Sequence, residues 1–121
     1  MELEERFAAR VKRALAEPRD ETWAKRTEER ISAVASAAMP SDAKYHIDSL
    51  SCQTAICRLE VTTTSSPQEG DAFGRLVGVQ INSPDLDGVR VVPREPLADG
   101  SYPLEILIFR RGYNVMADPN E

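Results

Sequence analysis

The chain has 121 residues, 41% of them hydrophobic and 29% charged, which fits one soluble globular domain over 1–121 and excludes a disordered chain. Its formal net charge of -5 argues against a nucleic-acid binder, which needs a basic face to neutralise phosphates. No apolar run approaches the roughly 20 residues of a membrane span, so no membrane insertion is expected within this chain.

Residues 2–16 read as a helix. Leu3, Phe7, Val11 and Leu15 recur every four positions, with Ala8 and Ala14 between them. Glu2, Glu4 and Glu5 suit its positive N-terminal end, and Lys12 and Arg13 its C-terminal end. Pro18 closes the segment. Asp20 can cap a second helix over 21–38, whose apolar stripe is Trp23, Ile31, Val34, Ala35 and Ala38, with Thr27 in the gap. The run from Met39 to Asp42 ends it.

Residues 44–52 and 56–64 read as a strand pair. In the second strand Cys57, Leu59, Val61 and Thr63 alternate with Arg58, Glu60 and Thr62. Pairing Cys52 with Cys57 sets Leu50 opposite Leu59 and leaves Tyr45 and Ile47 on the other parity. Either a bulge near Ser49 shifts the face, or both faces of the sheet are partly covered; the bulge is the preferred reading.

Ser66-Pro67-Gln68-Glu69 has the form of a helix start, with Ser66 as N-cap, Pro67 in the first turn and Glu69 as reciprocal partner. The third helix is expected from 67 to about 80, burying Phe73, Leu76, Val77 and the stem of Gln80. Gly70, Gly74 and Gly78 form a row on one face. Such a row is tolerable where the helix lies close against another element.

Asn82-Ser83-Pro84 breaks this helix, and Asp87-Gly88 reads as a turn. Residues 89–94 form a third strand whose Pro93 places its end at a sheet edge. Residues 102–111 form a fourth. It carries Leu104, Ile106 and Ile108 on one face and Leu107 and Phe109 on the other, which suits a central strand. The tail, 114–121, is expected to be loose. The order α-α-β-β-α-β-β gives an α+β domain: a four-stranded antiparallel sheet packed by helices on one face.

The cysteines are the most informative pair. Cys52 and Cys57 flank the turn of the first hairpin, and their placement suits a structural disulfide, which belongs to an oxidising compartment. A redox-active pair is the rival reading, but catalytic dithiols favour two intervening residues and a helix N-terminus. A metal is not expected, because two thiolates lack further soft ligands. His46 lies beside Asp48 on a strand, with no nucleophile placed by motif. Asp85 and Asp87 before Gly88 read as turn chemistry rather than a calcium loop. No catalytic residue and no cofactor is assigned. Arg90, Arg94, Arg110 and Arg111, joined by Arg58 if its strand is adjacent, form a candidate basic surface for an acidic partner or a carboxylate, and Tyr113 adds an aromatic contact.

The stretch Asp20-Glu-Thr-Trp23-Ala24, then Thr27, Glu28 and Ile31, followed by Ser51-Cys52 and Cys57-Arg58-Leu59-Glu60, resembles a group of small exported proteobacterial domains of uncharacterised function. In these a Trp-containing helix precedes a hairpin with a Cys-x4-Cys-Arg pattern. The resemblance covers residues 20–62. It implies a disulfide and a location in the periplasm or cell envelope, with a signal or anchor preceding the domain, and it implies no activity. Met1-Glu-Leu-Glu-Glu-Arg is itself not a signal peptide, so export presumes one that has been removed.

The expected function is a non-catalytic interaction module that binds another envelope protein or itself. The alternatives are a thiol–disulfide redox protein using Cys52 and Cys57, and an inhibitor or immunity protein for a secreted hydrolase.

Overall fold

The computed structural model describes residues 3–38, 45–64, 67–81 and 84–113. The element order is α1 (Leu3–Leu15), α2 (Glu21–Ala38), β1 (Tyr45–Cys52), β2 (Ile56–Thr63), α3 (Pro67–Ile81), β3 (Leu86–Pro93) and β4 (Tyr102–Arg110). The fold class and the order are those expected from the sequence. The expected loose tail over 114–121, the expected helix end at Met39–Asp42, Ser66, the Glu69 side chain, Asn82 and Ser83 lie outside the described residues.

The strands form one antiparallel sheet in the order β1-β2-β4-β3. β4 is central, as its apolar residues on both faces require, and β3 is an edge, where Pro93 leaves no ladder bond unmade. The register of β1 shifts between Ile47 and Ser49, at the expected bulge. That shift turns Tyr45 and Ile47 to the same face as Leu50 and Cys52, and Tyr45 stacks on Phe73 with ring centroids 4.6 Å apart. Asp87-Gly88 is no turn. β3 begins earlier, at Leu86, and a second register shift between Leu86 and Gly88 absorbs the extra residue.

Two apolar clusters lie on opposite faces of the sheet. On the first face, Trp23, Ile31 and Ala35 of α2 and Phe73, Val77 and Ile81 of α3 close over Cys57, Leu59, Val61, Leu104, Ile106 and Ile108. On the second, Val11 and Ala14 of α1 are buried with Ile56 and Leu107, and Phe7, Leu15, Val92 and Phe109 pack around them. The expectation of helices on one face therefore holds for α2 and α3 and is corrected for α1. The physical cause is the pattern of β4. Leu107 and Phe109 point away from α2 and α3, and without α1 they would meet water.

The buried stripe of α3 is also rotated from the expected one. Leu76 is 42% exposed, Gln80 is exposed, and Ile81 is buried instead. The glycine row sets this rotation. A Cβ built on Gly70 would stand 2.7 Å from Leu104 Cδ2, one on Gly78 would stand 2.8 Å from Val89 Cγ2, and one on Gly74 would run into Val91 Cγ2. The helix backbone thus lies directly on the side chains of β3 and β4. Arg30 of α2 finishes the layer by donating two hydrogen bonds to the Ile81 carbonyl, an acceptor left free at the end of α3.

Gly74→Ala is expected to destabilise the fold by about 1–3 kcal/mol through overpacking. Helix propensity alone predicts a gain of about 1 kcal/mol from the same change. Urea unfolding decides between the signs. Gly88→Ala is the control, because a Cβ there meets nothing within 4 Å.

Candidate functional site

The first hairpin closes on the pair Gln53 and Ile56, whose backbone N–H to O bond measures 2.9 Å. The preceding pair, Cys52 and Cys57, is therefore a non-hydrogen-bonded one, where side chains lie closest. Their Cα atoms are 4.0 Å apart and their sulfurs are bonded. Both cysteines are fully buried in the cluster that holds Trp23. A redox role expects a sulfur open to attack, and this environment encloses both.

The segment between α1 and α2 grips this hairpin from outside. The Glu17 carbonyl accepts from the Gln53 amide, and the Pro18 carbonyl accepts from the Thr54 hydroxyl. Arg19 pairs with both carboxylate oxygens of Glu28 and donates to the Cys52 carbonyl. Glu28 in turn accepts from the Cys52 N–H at 2.8 Å. The outward polar groups of the edge strand at Cys52 are thus satisfied by side chains and closed to an added strand. Asp20 caps α2 by accepting from the Trp23 N–H, and its other oxygen accepts from Arg110 at 2.9 Å.

These contacts shift the carboxyls. The Arg110 guanidinium and the Trp23 N–H hold Asp20 below the usual carboxylate range. Hydrogen bonding from Arg19 lowers Glu28 against an opposing effect of burial, with the Cys52 N–H adding to the lowering. Arg19 is raised, chiefly by Glu28 and then by Glu21.

Strand alternation divides the six candidate partner-binding residues. Arg110 shares the first face with Ile108. Its guanidinium lies over Trp23 at 4.5 Å and over Tyr113 at 4.8 Å, and it donates to Asp20 and to the Thr54 carbonyl. It is a fastening of the fold. Arg111 lies 3.9 Å from Asp87, and Tyr113 is half exposed beside Arg110. Arg58, Arg90 and Arg94 lie together on the second face, apart from these three.

On that second face Glu60 and Glu105 stand directly opposite each other on β2 and β4. Arg58, two residues before Glu60 on β2 and diagonal to Glu105, lies 2.8 Å from Glu105 and 3.6 Å from Glu60, and Arg94 reaches the same Glu105 oxygen at 2.8 Å. Glu105 is only 4% exposed, so these arginines compensate a buried charge. α1 covers only the hairpin end of this face. Beside it runs a cleft of about 560 Å³, with Phe7, Val11 and Leu15 on one wall and Arg58, Arg90, Arg94 and Lys12 around it. The Arg90 guanidinium stacks on the Phe7 ring at 3.9 Å. Among the described residues neither Arg90 nor Lys12 has a carboxylate partner.

Glu105, Lys12 and Phe7 were not among the sequence candidates. A lone carboxylate inside the apolar run Leu104–Phe109 was the available signal for Glu105. Nothing in the sequence placed α1 beside β3, so Lys12 and Phe7 carried none. His46 is well exposed and 3.7 Å from Asp48, the pairing its strand position implied. Among the described residues no group of three His, Cys, Asp or Glu side chains is arranged to hold a metal, and no helix is long and apolar enough to cross a membrane. No family model, curated protein or solved structure matches the chain.

Acid is expected to loosen the grip on the hairpin. Asp20 and Glu28 titrate lower in the folded chain than in the unfolded one. The unfolded chain therefore takes up protons first as pH falls, so the stability these groups give is complete above about pH 5 and is lost as pH drops through their lowered values. Thermal melts between about pH 6 and pH 2 should show the decline. Asp20→Asn should start less stable at neutral pH and show a shallower fall.

Proposed function

We propose that the protein is a non-catalytic interaction module of the bacterial periplasm or cell envelope, and that it receives a protein partner in the basic cleft beside α1. The observation that carries this reading is the pair Lys12 and Arg90. They stand at a concave, apolar-walled surface without a carboxylate partner among the described residues, in a chain whose net charge is -5. Cations kept close together repel one another, and carboxylates brought by a partner relieve that repulsion. Glu105 is already engaged there by Arg58 and Arg94, each 2.8 Å from the same carboxylate oxygen.

The location rests on the buried Cys52–Cys57 disulfide and on the resemblance of residues 20–62 to exported domains. Mass measurement of the protein from the bacterial periplasm, alkylated with and without prior reduction, is expected to show two thiols that become free only on reduction. Two free thiols in the native protein would remove the basis for export.

A photo-crosslinking amino acid in place of Leu15, on the cleft wall, is expected to give one discrete adduct with an envelope protein or with a second copy of the chain. The double variant Lys12→Glu, Arg90→Glu should lose that adduct, with affinity for the partner reduced about tenfold or more. Arg111→Glu, on the other side of the sheet end, should keep it. An adduct insensitive to the double reversal would count against the cleft.

A further inference from the structure

The spacing of the cations around the cleft identifies the chemistry of its occupant. Resting on the interaction reading above, we propose that the cleft takes an extended acidic segment of a partner protein, with the pattern acidic–x–aliphatic–x–acidic.

Arg90 and Val92 alternate on β3, and Arg94, just past its end and still bonded through its N–H to the Pro103 carbonyl, continues the alternation on the cleft side. A strand rises about 3.3 Å per residue, so the backbone positions of Arg90 and Arg94 are about 13 Å apart. Arg58 lies two strands away on β2, about 10 Å across the sheet. A single carboxylate or phosphate head needs its donors to converge within hydrogen-bond distance of one point. Side chains anchored this far apart suit charges that are themselves spread along a chain. An extended peptide presents every second side chain on one side and repeats with the same rise as β3. Acidic residues at its first and fifth positions therefore match Arg90 and Arg94, and its third residue falls over Val92.

The local chemistry supports that register. Val92 is half-buried against the α1 cluster, so the middle position is apolar. The Phe7 ring holds the Arg90 guanidinium from one side. Stacking leaves the edge of the guanidinium available to a carboxylate in its plane. Arg94 is 53% exposed and uses one nitrogen on Glu105, so further donors remain. Arg58 is taken up by Glu60 and Glu105, which leaves the cations on the β3 side of the cleft to the ligand's carboxylates. Lys12, on the α1 wall, adds a charge that fixes no register.

The test uses fluorescence anisotropy with the full chain, its disulfide intact, and a dye-labelled peptide Gly-Glu-Ser-Leu-Ser-Glu-Gly. The native protein is expected to bind it, more weakly as salt rises. The same peptide with glutamine for both glutamates, and one with its glutamates three residues apart, are each expected to bind at least about tenfold more weakly. Arg90→Gln should lose binding to a similar degree while its melting temperature stays near the native value, and Arg111→Glu should bind as the native protein does. Absence of peptide binding at millimolar concentration, equal binding of the glutamine or shifted peptide, or displacement of the peptide by phosphatidylglycerol vesicles would each overturn the proposal. Should the crosslinked partner depend on Arg90 while the peptide is ignored, this inference falls and the interaction reading stands. Should neither depend on Arg90, both fall.

Discussion

The residues from Glu17 to Arg19 hold the tip of the first hairpin through two carbonyls and an arginine, Asp20 joins them by way of Arg110, which donates to the Thr54 carbonyl, and both layers of helix flank that grip. The connector passes around the end of the sheet at the disulfide. α1 therefore lies on one face and α2 on the other, although only a short loop joins them. The disulfide keeps the hairpin end closed, and the Arg19–Glu28 pair satisfies the outward groups of Cys52. A charge-assisted network of this kind depends on its geometry, since each member satisfies a group that the others leave exposed.

The two faces then follow different rules. The first is sealed by close approach. The glycine row of α3 brings backbone onto Leu104, Val91 and Val89, and the small residues of α2 fill in beside Trp23. The second is only half covered. Among its described side chains α1 buries Val11 and Ala14, and it leaves the far part of the sheet polar. There a buried carboxylate is neutralised by two arginines, and further cations stand next to an apolar wall.

Most local structure was legible in the residues. Four-residue periodicity marked the helices, alternation marked β2, and Asp20 marked the start of α2. Two doubtful points were also resolved by local logic. The mismatch of Tyr45 and Ile47 with Leu50 left a bulge or a sheet covered on both faces, with the bulge preferred, and a bulge is present between Ile47 and Ser49. The double-sided apolar pattern of β4 suited a central position, which it has. The misreadings arose where a pattern was judged in isolation. Leu76 belongs to the apolar stripe by spacing, but the glycines, having no side chains, were the contact face. Asp87-Gly88 has the composition of a turn, but pairing with β4 extends the strand through it.

By itself the sequence determined the elements, their order, the antiparallel sheet and the pairing of the cysteines. Each of these depends on a local repeat, or on two residues brought together by a short turn. Only the tertiary structure decided that α1 covers the second face, that Arg110 is a fastening of the fold, and that Phe7 stacks on Arg90 in a cleft that Lys12 also lines. The reason is that these positions depend on how a connector of a few residues crosses the sheet end. No periodicity encodes that path. It is set by contacts such as Arg110 with Asp20, 90 residues apart in the chain.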